Sequence, residues 1–404
     1  MSEQLSNLAT IHYGKSPSDV LEEDGPFPII GTGGKYGQAN KAMFYCPSVV
    51  VARKGSLGNP QLLMEPFWPS DTTYAVIPEK DVDASWLYYN LLNFDLIKLN
   101  EATGVPSISR DWLNRIRFFN PPKDHKRRIG EILQAVDDAI EKTEALIAKY
   151  QQIKAGLMHN LFTRGVTADG KLRPPREQAP ELYQETLVGW ISKDWQVKPL
   201  GTLAEIVSGV TLGAKGEISD EVGVPYLRVA NVQDGYFDLT EVKRIRVSRS
   251  QFEKLQLRYG DVLMNEGGDF DKLGRGSVWQ EEIKPCIHQN HVFRVRPRDG
   301  QLRSYFLAFW SQSEMGKKYF VLNSKQSTNL ASINSTQLNR FPVALPSSNE
   351  QEQIEAKIAA LNCHADSLGQ ELAKLIKQKQ GLMHDLLTGS VRVLEDIKLA
   401  AVVL

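Results

Sequence analysis

Polar and glycine-rich segments recur between strand-like runs of the chain, and their side chains suit contacts with nucleic acid. Lysine, arginine and serine side chains and backbone amides bind phosphate oxygens, whereas arginine, asparagine and glutamine can read base edges through paired hydrogen bonds. A single segment of this kind is more often an ordinary solvated turn, but the set as a whole, which falls on both halves of the chain, favours binding. The candidate DNA-binding residues are Lys35, Arg53, Lys54, Ser56, Thr72, Thr73, Ser107, Ser109, Arg110, Arg228, Asn231, Lys272, Arg275, Gln289, Asn290, His291, Lys325, Gln326, Thr328 and Asn329.

Two short motifs resemble catalytic or cofactor-binding signatures but lack essential parts. The run Asn120-Pro121-Pro122 is similar to the Asn-Pro-Pro-aromatic motif of adenine methyltransferases, yet Lys123 stands where the aromatic residue belongs. No glycine-rich S-adenosylmethionine loop lies upstream of it. The glycine-rich run 31–37 is not followed by Gly-Lys-Ser/Thr at the spacing that a phosphate loop requires. The sequence therefore predicts no catalytic residues in this chain.

The histidines and cysteines do not form a metal-binding pattern. His288 and His291 could ligate a metal, but no cluster of further cysteines or histidines accompanies them, so a metal site is not expected. The cysteines Cys46, Cys286 and Cys363 are odd in number and far apart, which suits neither a disulfide framework nor a zinc site. Cysteine usage of this kind is typical of a cytoplasmic protein.

The bulk composition limits the kinds of protein that this chain can be. Its 404 residues suffice for two to three domains. The net charge of zero lacks the basic excess of a general nucleic-acid binder, so DNA binding would have to come from local surfaces. No apolar run approaches the length of a membrane span, and the first residues do not resemble a signal peptide.

The chain is a tandem repeat. Residues 129–166 align without a gap with residues 354–391 at a constant offset of 225, and Gly-Leu-Met-His occurs in both copies. The beginnings of the two modules align at an offset of 195, starting at Leu5 and Leu200, so the second module is 30 residues longer. Between these, residues 49–55 match 262–268 at an offset of 213. The helical parts have kept their length while the modules diverged, as expected for a fixed spacer between variable recognition modules.

Both repeats end in a heptad pattern. Apolar residues recur at alternating steps of four and three over more than four heptads, which is typical of a coiled coil. Each seam requires a partner, and we expect the two helices to pair antiparallel within the chain, so that a pseudo-two-fold axis relates the modules. The predicted seam residues are Ile129, Leu133, Val136, Ile140, Ile147, Tyr150, Leu157, Ile354, Ile358, Leu361, Leu368, Leu372, Leu375 and Leu382.

Polar residues interrupt the seam and mark where the helices begin. Lys154 and Lys379 occupy the same seam position in the two copies. They either extend their ammonium groups to solvent, which is the favoured reading, or fix the register as polar residues of the seam. Asp124 can cap the first helix, and Ser347 with Glu350 matches a capping box for the second.

Each module is predicted to be mixed α/β. Strands are expected at 28–31, 48–52, 74–78 and 116–119 in the first module and at 224–232, 261–265, 292–297 and 341–345 in the second. Further helices are expected at 84–99 and 302–320. The predicted boundaries are 1–122 for the first module, 123–165 for its long helix, 166–189 for a linker, 190–346 for the second module, 347–389 for its long helix and 390–404 for a tail.

Taken together and in order, these features resemble the specificity subunit of type I restriction-modification systems. The resemblance covers nearly the whole chain and repeats within it. The motifs that carry it are 200–209, 49–55 with its Arg-Lys-Gly end, 104–109, Pro346 followed by Glu350-Gln351, and 381–389. The start of the first long helix departs from the family pattern, because Lys-Asp-His-Lys-Arg-Arg at 123–128 replaces the usual Glu-Gln pair.

The resemblance implies an α+β fold with two mixed α/β target recognition domains, each followed by a long helix, the helices pairing as an antiparallel coiled coil. It implies a non-catalytic subunit whose two domains read a bipartite, asymmetric target in double-stranded DNA. Two modification (methyltransferase) subunits would dock on the chain, and restriction (endonuclease and translocase) subunits would join them. The chain itself would bind no cofactor, since S-adenosylmethionine would be held by the partner methyltransferase, and no membrane would be involved.

Two other classes of function compete with this reading. A stand-alone DNA-modifying enzyme would need the cofactor and catalytic motifs that are missing, and binding of S-adenosylmethionine by the chain alone would support it. A coiled-coil scaffold that binds proteins and no DNA would co-purify with a methyltransferase yet show no preference on randomised DNA.

Overall fold

The computed structural model describes residues 2–211, 220–268, 273–298, 300–326 and 331–393. The chain divides into two compact units, each with one module and part of each long helix. The first unit consists of Met1–Ile147 and Ser367–Leu404, and the second of Ala148–Asp366. In the described part of the chain, no helix is both long and apolar enough to cross a lipid bilayer.

The first module is built on a four-stranded antiparallel sheet. Its central strand is a continuous run of buried residues, Ser-Val-Val-Val-Ala, whose β-branched side chains suit a strand covered on both faces. A three-stranded sheet and a two-stranded ribbon complete the module. In spatial order the first sheet is Ala9–Tyr13, Thr73–Pro78, Ser48–Ala52 and Gln61–Leu63; the second is Gly34–Ala39, Phe27–Gly31 and Trp68–Pro69; the ribbon is Ser2–Gln4 with Arg117–Phe119.

The second module repeats this topology strand for strand. Ala9 pairs with Pro78 in the first module, and Ala204 pairs with Pro297 in the second. A ribbon, Tyr183–Thr186 with Gly189–Ser192, and a small sheet, Gly267–Gly268, Ala331–Ser332 and Lys325–Gln326, are added. The repeated sheets are Ala204–Ser208, Val292–Pro297, Val262–Asn265 and Gly276–Val278; then Lys243–Ser248, Glu221–Leu227 and Ile287–His288; then Gln196–Pro199 with Pro342–Leu345.

Equivalent glycines follow the first strand of each main sheet. A Cβ atom on Gly14 would lie 1.9 Å from the carbonyl oxygen of Ser70, and one on Gly209 would lie 1.9 Å from that of His288. Both distances are far inside van der Waals contact, so any other residue would push these backbones apart. The repeat therefore preserves a close approach between two chain segments in each module.

Several predicted elements are shorter than expected because a local cap ends them. The helix expected at 84–99 ends at Asn93, and Asp95 caps a separate 3-10 turn by accepting from the Ile97 N–H at 3.2 Å. The helix expected at 302–320 is broken at Ser313, whose hydroxyl accepts from the Gly316 N–H at 3.2 Å. The strand expected at 224–232 ends at Leu227. The α-helices are Ala84–Asn93, Arg110–Arg115, Lys123–Thr163, Leu200–Leu203, Arg249–Leu255, Ser304–Gln312, Glu314–Asn323, Ser335–Asn339 and Ser348–Thr388, and the 3-10 turns are Leu5–Asn7, Leu96–Leu99, Pro180–Leu182 and Val229–Asn231.

The two long helices, Lys123–Thr163 and Ser348–Thr388, pair antiparallel within each unit. In the first unit the beginning of the first long helix shares a core with the end of the second, through Leu133 and Leu386 among others. In the second unit the end of the first long helix shares a core with the beginning of the second, through Leu161 and Ile358. Each of the fourteen predicted seam residues is buried or half-buried.

A polar cluster interrupts the seam at Lys379. Its ammonium Nζ lies 2.6 Å from Asp137 Oδ1, and the Tyr89 hydroxyl donates to Asp137 Oδ2 at 2.8 Å. Lys379 is thus paired within the fold, contrary to the favoured expectation that its ammonium group extends to solvent, whereas a role in fixing the register stays a prediction. The equivalent Lys154 is half-buried, and burial lowers the pKa of its ammonium group.

The caps of the long helices differ from expectation at both starts. The first long helix begins at Lys123, so Asp124 lies in its first turn and is not the cap. At the second, the Glu350 N–H donates to Ser347 Oγ at 3.3 Å, but the Glu350 carboxylate turns elsewhere and completes no capping box. It accepts from the Val166 N–H at 2.8 Å and forms a buried, two-contact ion pair with Arg173.

The segment 166–189, expected to be a plain linker, is folded. Val166 is buried in the core of the second unit, and Arg173 is held by Glu350 and by the Arg164 carbonyl at 3.1 Å. The segment then forms the first strand of the Tyr183–Ser192 ribbon. It is therefore part of the second unit rather than a free connection.

Candidate nucleic-acid interface

In the first unit, backbone hydrogen bonds bring three of the predicted loops together. The Arg53 N–H donates to the Thr72 carbonyl at 2.8 Å, and the Ile108 N–H donates to the Arg53 carbonyl at 3.0 Å. Lys54 and Ser107 form an antiparallel bridge between the same two loops. Segments far apart in the sequence thus form one surface, which we call the first loop surface.

An exposed tyrosine flanked by two arginines lies on the first loop surface. The guanidinium carbons of Arg53 and Arg110 each lie 5.5 Å from the ring centroid of Tyr13, whose side chain is 47% exposed. Tyr74 packs edge-on against Tyr13 and donates its hydroxyl to the Ile108 carbonyl at 3.2 Å; its burial raises its pKa to about 12. The arrangement offers two cations and an aromatic face, a combination suited to phosphates and bases.

Tyr13 was not predicted as a site residue. It ends the strand Ala9–Tyr13 directly before Gly14, within the aligned module start. The sequence contains one signal for it: Ser208 stands at the equivalent position of the second module, so the two copies of the aligned motif differ in this side chain.

A groove joins a further predicted loop to one of the three loops of the first loop surface. It is lined by residues 31–36 and 70–72, with Lys35 and Tyr36 exposed at its edge. Ser70 Oγ and Thr72 Oγ1 are 2.8 Å apart and share a hydrogen bond. Lys35, Lys54 and Ser56 are exposed, so they are free to meet a ligand from solvent.

Two residues predicted to contact DNA in this module have structural roles. Thr73 is fully buried, and its hydroxyl donates to the Ser70 carbonyl at 2.8 Å. Ser109 caps the helix Arg110–Arg115 by accepting from the Trp112 N–H at 3.4 Å. The prediction for Thr73 was wrong because its side chain is buried, whereas Ser109 is half-buried and its contact with DNA stays a prediction.

The second unit forms an equivalent second loop surface with the same backbone bonds. The Glu266 N–H donates to the His291 carbonyl at 3.0 Å, and the Ile333 N–H donates to the Glu266 carbonyl at 2.8 Å. Gly267 pairs with Ser332, as Lys54 pairs with Ser107 in the first module. The aligned offsets therefore place Glu266 where the first module has Arg53.

The side chains on the second loop surface differ from those on the first. His291 is 56% exposed, and its Nδ1 lies 2.7 Å from Glu266 Oε2. Lys325 is exposed on the small added sheet, and Arg275 Nη1 lies 3.5 Å from Gln233 Oε1. Glu266 was not predicted as a site residue, although the offset of 213 already aligned it with Arg53.

The loops of the second module also contain predicted contacts that the fold uses itself. Asn231 is only 3% exposed, and its amide donates to the carbonyls of Asp238 at 2.8 Å and Glu241 at 3.0 Å. Arg228 donates to the same Glu241 carbonyl at 3.0 Å. The prediction that Asn231 contacts DNA was therefore wrong, because its side chain is buried and its donors close a turn.

The remaining predictions in this module divide between half-buried and undescribed residues. Gln289 and Asn290 are half-buried, with their N–H groups bound to the carbonyls of Leu227 and Val210 at 2.9 Å. Lys272, Thr328, Asn329 and the side chain of Gln326 lie outside the described residues.

His288 does not face a ligand. It is fully buried, its Nδ1–H donates to the Val292 carbonyl at 2.7 Å, and burial lowers its pKa to about 4. The described residues contain no group of three or more His, Cys, Asp or Glu side chains that could hold a metal ion.

Comparison with known proteins agrees with this architecture. A family model described as Type I restriction modification DNA specificity domain matches residues 2–152 and 192–376, once over each module. The MjaX type I restriction enzyme specificity subunit of Methanocaldococcus jannaschii is 26% identical over 213 residues, which cover 52% of this chain and about half (49%) of that protein. The MjaVIII specificity subunit of the same organism is 25% identical over 321 residues, 78% of this chain and 72% of the relative.

A solved structure shares the fold along nearly the whole chain. The S subunit of a type I restriction-modification system from M. genitalium superposes with a TM-score of 0.62 at 16% identity, covering 96% of both chains. The family model matches most of the sequence, in two segments. Each segment covers one module and a large part of the long helix that follows it. The chain belongs to the family of type I restriction-modification specificity subunits.

Proposed function

We propose that this chain reads a bipartite, asymmetric DNA target, one half with each loop surface. The observation that carries the proposal is that the same backbone bonds hold Arg53 and Glu266 at equivalent positions. A conserved framework with different side chains is what two recognition modules need in order to read two different sequences. Arg53, Arg110 and Lys54 supply contacts on the first surface, and Lys325 supplies a cation on the second.

The two long helices are the proposed spacer between the half-sites. Each has 41 residues, and a helix of that length extends about 60 Å. Each has residues in both units without interruption, and we infer that the Lys379–Asp137 pair holds the two helices in register. A rigid connection of this kind would set the distance between half-sites, as in other two-fold DNA-binding proteins.

Two copies of a methyltransferase subunit are the proposed partners, joined by restriction subunits in the complete enzyme. The support is the identity of exposed positions in the two repeats, since Gly156 and His159 recur as Gly381 and His384 with the same exposure pattern. Packing does not demand identity at exposed positions, whereas contact with two copies of one partner does. S-adenosylmethionine would bind the methyltransferase, and this chain would contribute recognition without a catalytic step, which suits a cytoplasmic protein.

Sequencing of methylated DNA tests the proposal. The chain is co-expressed with its methyltransferase in a host free of methylation, and modified adenines are mapped across the genome. We expect two short, different half-sites at a fixed separation. Modification without sequence preference would contradict DNA recognition and favour a protein scaffold, and methylation by the chain without its partner would show that it is itself an enzyme.

A paired variant identifies the surface. Replacing Arg53 and Arg110 by alanine should weaken DNA binding by the complex, because both guanidinium groups lie on the first loop surface. Replacing Arg127 and Lys142, which are exposed on the first long helix, removes the same charge elsewhere and is the control. Equal binding by both double variants would exclude the first loop surface.

A further inference from the structure

The two loop surfaces carry opposite charges at one equivalent position. The Arg53 N–H donates to the Thr72 carbonyl, and the Glu266 N–H donates to the His291 carbonyl; each acceptor directly precedes a six-residue strand that ends in proline. The carbonyls of Arg53 and Glu266 in turn accept from the N–H groups of Ile108 and Ile333. The backbone at this position is therefore the same in both modules. The side chain alone changes, from a guanidinium to a carboxylate.

A carboxylate on a DNA-facing surface requires a specific reason, because phosphates repel it. Glu266 is not buried in the core, since its side chain is 28% exposed. It is held by His291, whose Nδ1–H donates to Glu266 Oε2 at 2.7 Å, because a carboxylate can only accept. A carboxylate offers about four lone-pair directions, so this bond leaves acceptor capacity for another donor.

The chemistry of base edges selects the donor. In the major groove, glutamate accepts from the N4 amino group of cytosine, whereas arginine binds O6 and N7 of guanine. The N6 amino group of adenine lies between two acceptors, N7 and the thymine O4, and both would repel a carboxylate placed against N6. The N4 amino group of cytosine has an acceptor on one side only.

We propose that Glu266, positioned by His291, reads a cytosine in the half-site of the second module, at the position where Arg53 reads a guanine in the half-site of the first. This inference rests on the proposed function, because it requires that the loop surfaces contact bases. It makes Glu266 a specificity-determining residue and His291 a positioning residue. The two half-sites then differ at this position because one side chain accepts hydrogen bonds and the other donates them.

The test is target mapping with the complete complex of this chain and its methyltransferase. The wild-type target is determined first, and then that of Glu266→Gln, which keeps the size of the side chain but adds a donor. We expect the preference for one C·G pair of the second half-site to fall at least about fivefold, which is the lower end of the range for losing one specific base contact. All positions of the first half-site should be unchanged. Glu253→Gln, on an exposed helical position of the same module, is the matched control.

A second variant separates recognition from folding. His291→Gln should weaken discrimination at the same base pair and at no other, with an unchanged melting temperature of the complex. A uniform loss of methylation, together with a lower melting temperature, would mean that the pair only stabilises the module and would overturn the inference.

The remaining outcomes distinguish this inference from the proposed function. If Glu266→Gln keeps the wild-type target, or if the relaxed position is an A·T or T·A pair, the cytosine assignment is wrong while bipartite recognition stands. If wild-type complex shows no sequence preference, the proposed function itself fails.

Discussion

Acid should weaken the second module through the buried histidine His288. The folded protein holds this imidazole neutral, with its pKa lowered to about 4 by burial and, to a smaller extent, by the positive charges of Arg294 and Arg296. In the unfolded chain the same group titrates near its ordinary value of about 6.5. As pH falls from about 6.5 to about 4, the unfolded state takes up a proton that the folded state refuses, so stability is lost in that window.

The size of the effect follows from the difference between the two pKa values. Each unit corresponds to about 1.4 kcal/mol, so the full loss below pH 4 is about 3 kcal/mol. At pH 5 the same linkage gives a loss of about 2 kcal/mol, or about a 30-fold drop in protection from hydrogen exchange.

Hydrogen exchange of the strand Val292–Pro297 measures this locally. Protection factors, corrected for the intrinsic rate at each pH, are compared at pH 7 and pH 5 for wild type and His288→Asn. The asparagine Nδ2 can keep the bond to the Val292 carbonyl but does not titrate. We expect the loss between the two pH values to be about 2 kcal/mol smaller in the variant. The same change at exposed His364 is the control, since that imidazole is already open to water.

An equal loss in wild type and His288→Asn would refute the reasoning. It would mean that other groups carry the acid sensitivity of the module and that His288 is protonated without unfolding.

Three further predictions concern the long helices. Glu350→Gln leaves the Arg173 guanidinium buried beside a neutral partner, so the free energy of unfolding should fall by about 3 kcal/mol, whereas exposed Glu352→Gln should change it little. A double-mutant cycle of Lys379→Met and Asp137→Asn in urea unfolding should give a coupling of about 1 kcal/mol; a value of zero would remove the register role. Deleting one heptad from both long helices removes about 10 Å, or about three base pairs, so mapping should show a shorter spacer or lost activity, and an unchanged target would contradict the spacer.

The duplicated architecture could be predicted because its signals are local in the sequence. A heptad pattern depends only on neighbouring turns of one helix. A constant offset between the two copies can be read from the sequence without knowing what the modules pack against. The central strand Ser48–Ala52 was predicted with its observed bounds because a run of β-branched residues suits a doubly covered strand.

The use of individual polar residues could not be predicted in the same way. An asparagine or a hydroxyl in a loop suits a base edge and a backbone carbonyl equally well. Only the folded neighbours decide between them, as with Asn231 closing a turn and Thr73 bonding to Ser70. Glu266 was not predicted because a carboxylate repels phosphates, although the repeat aligns it with Arg53.

The core of the first unit is completed by the last part of the chain to be translated, although most of that unit is translated first. Its hydrophobic core includes Met383, Leu386, Leu387 and Val393, which are translated after every other described segment. The second unit, Ala148–Asp366, is one continuous stretch and has all of its core residues earlier. The core of the half that is synthesised first is therefore complete only when the last helix has been made, and a chain arrested before residue 380 leaves the packing face of Ile129 and Leu133 without these four partners.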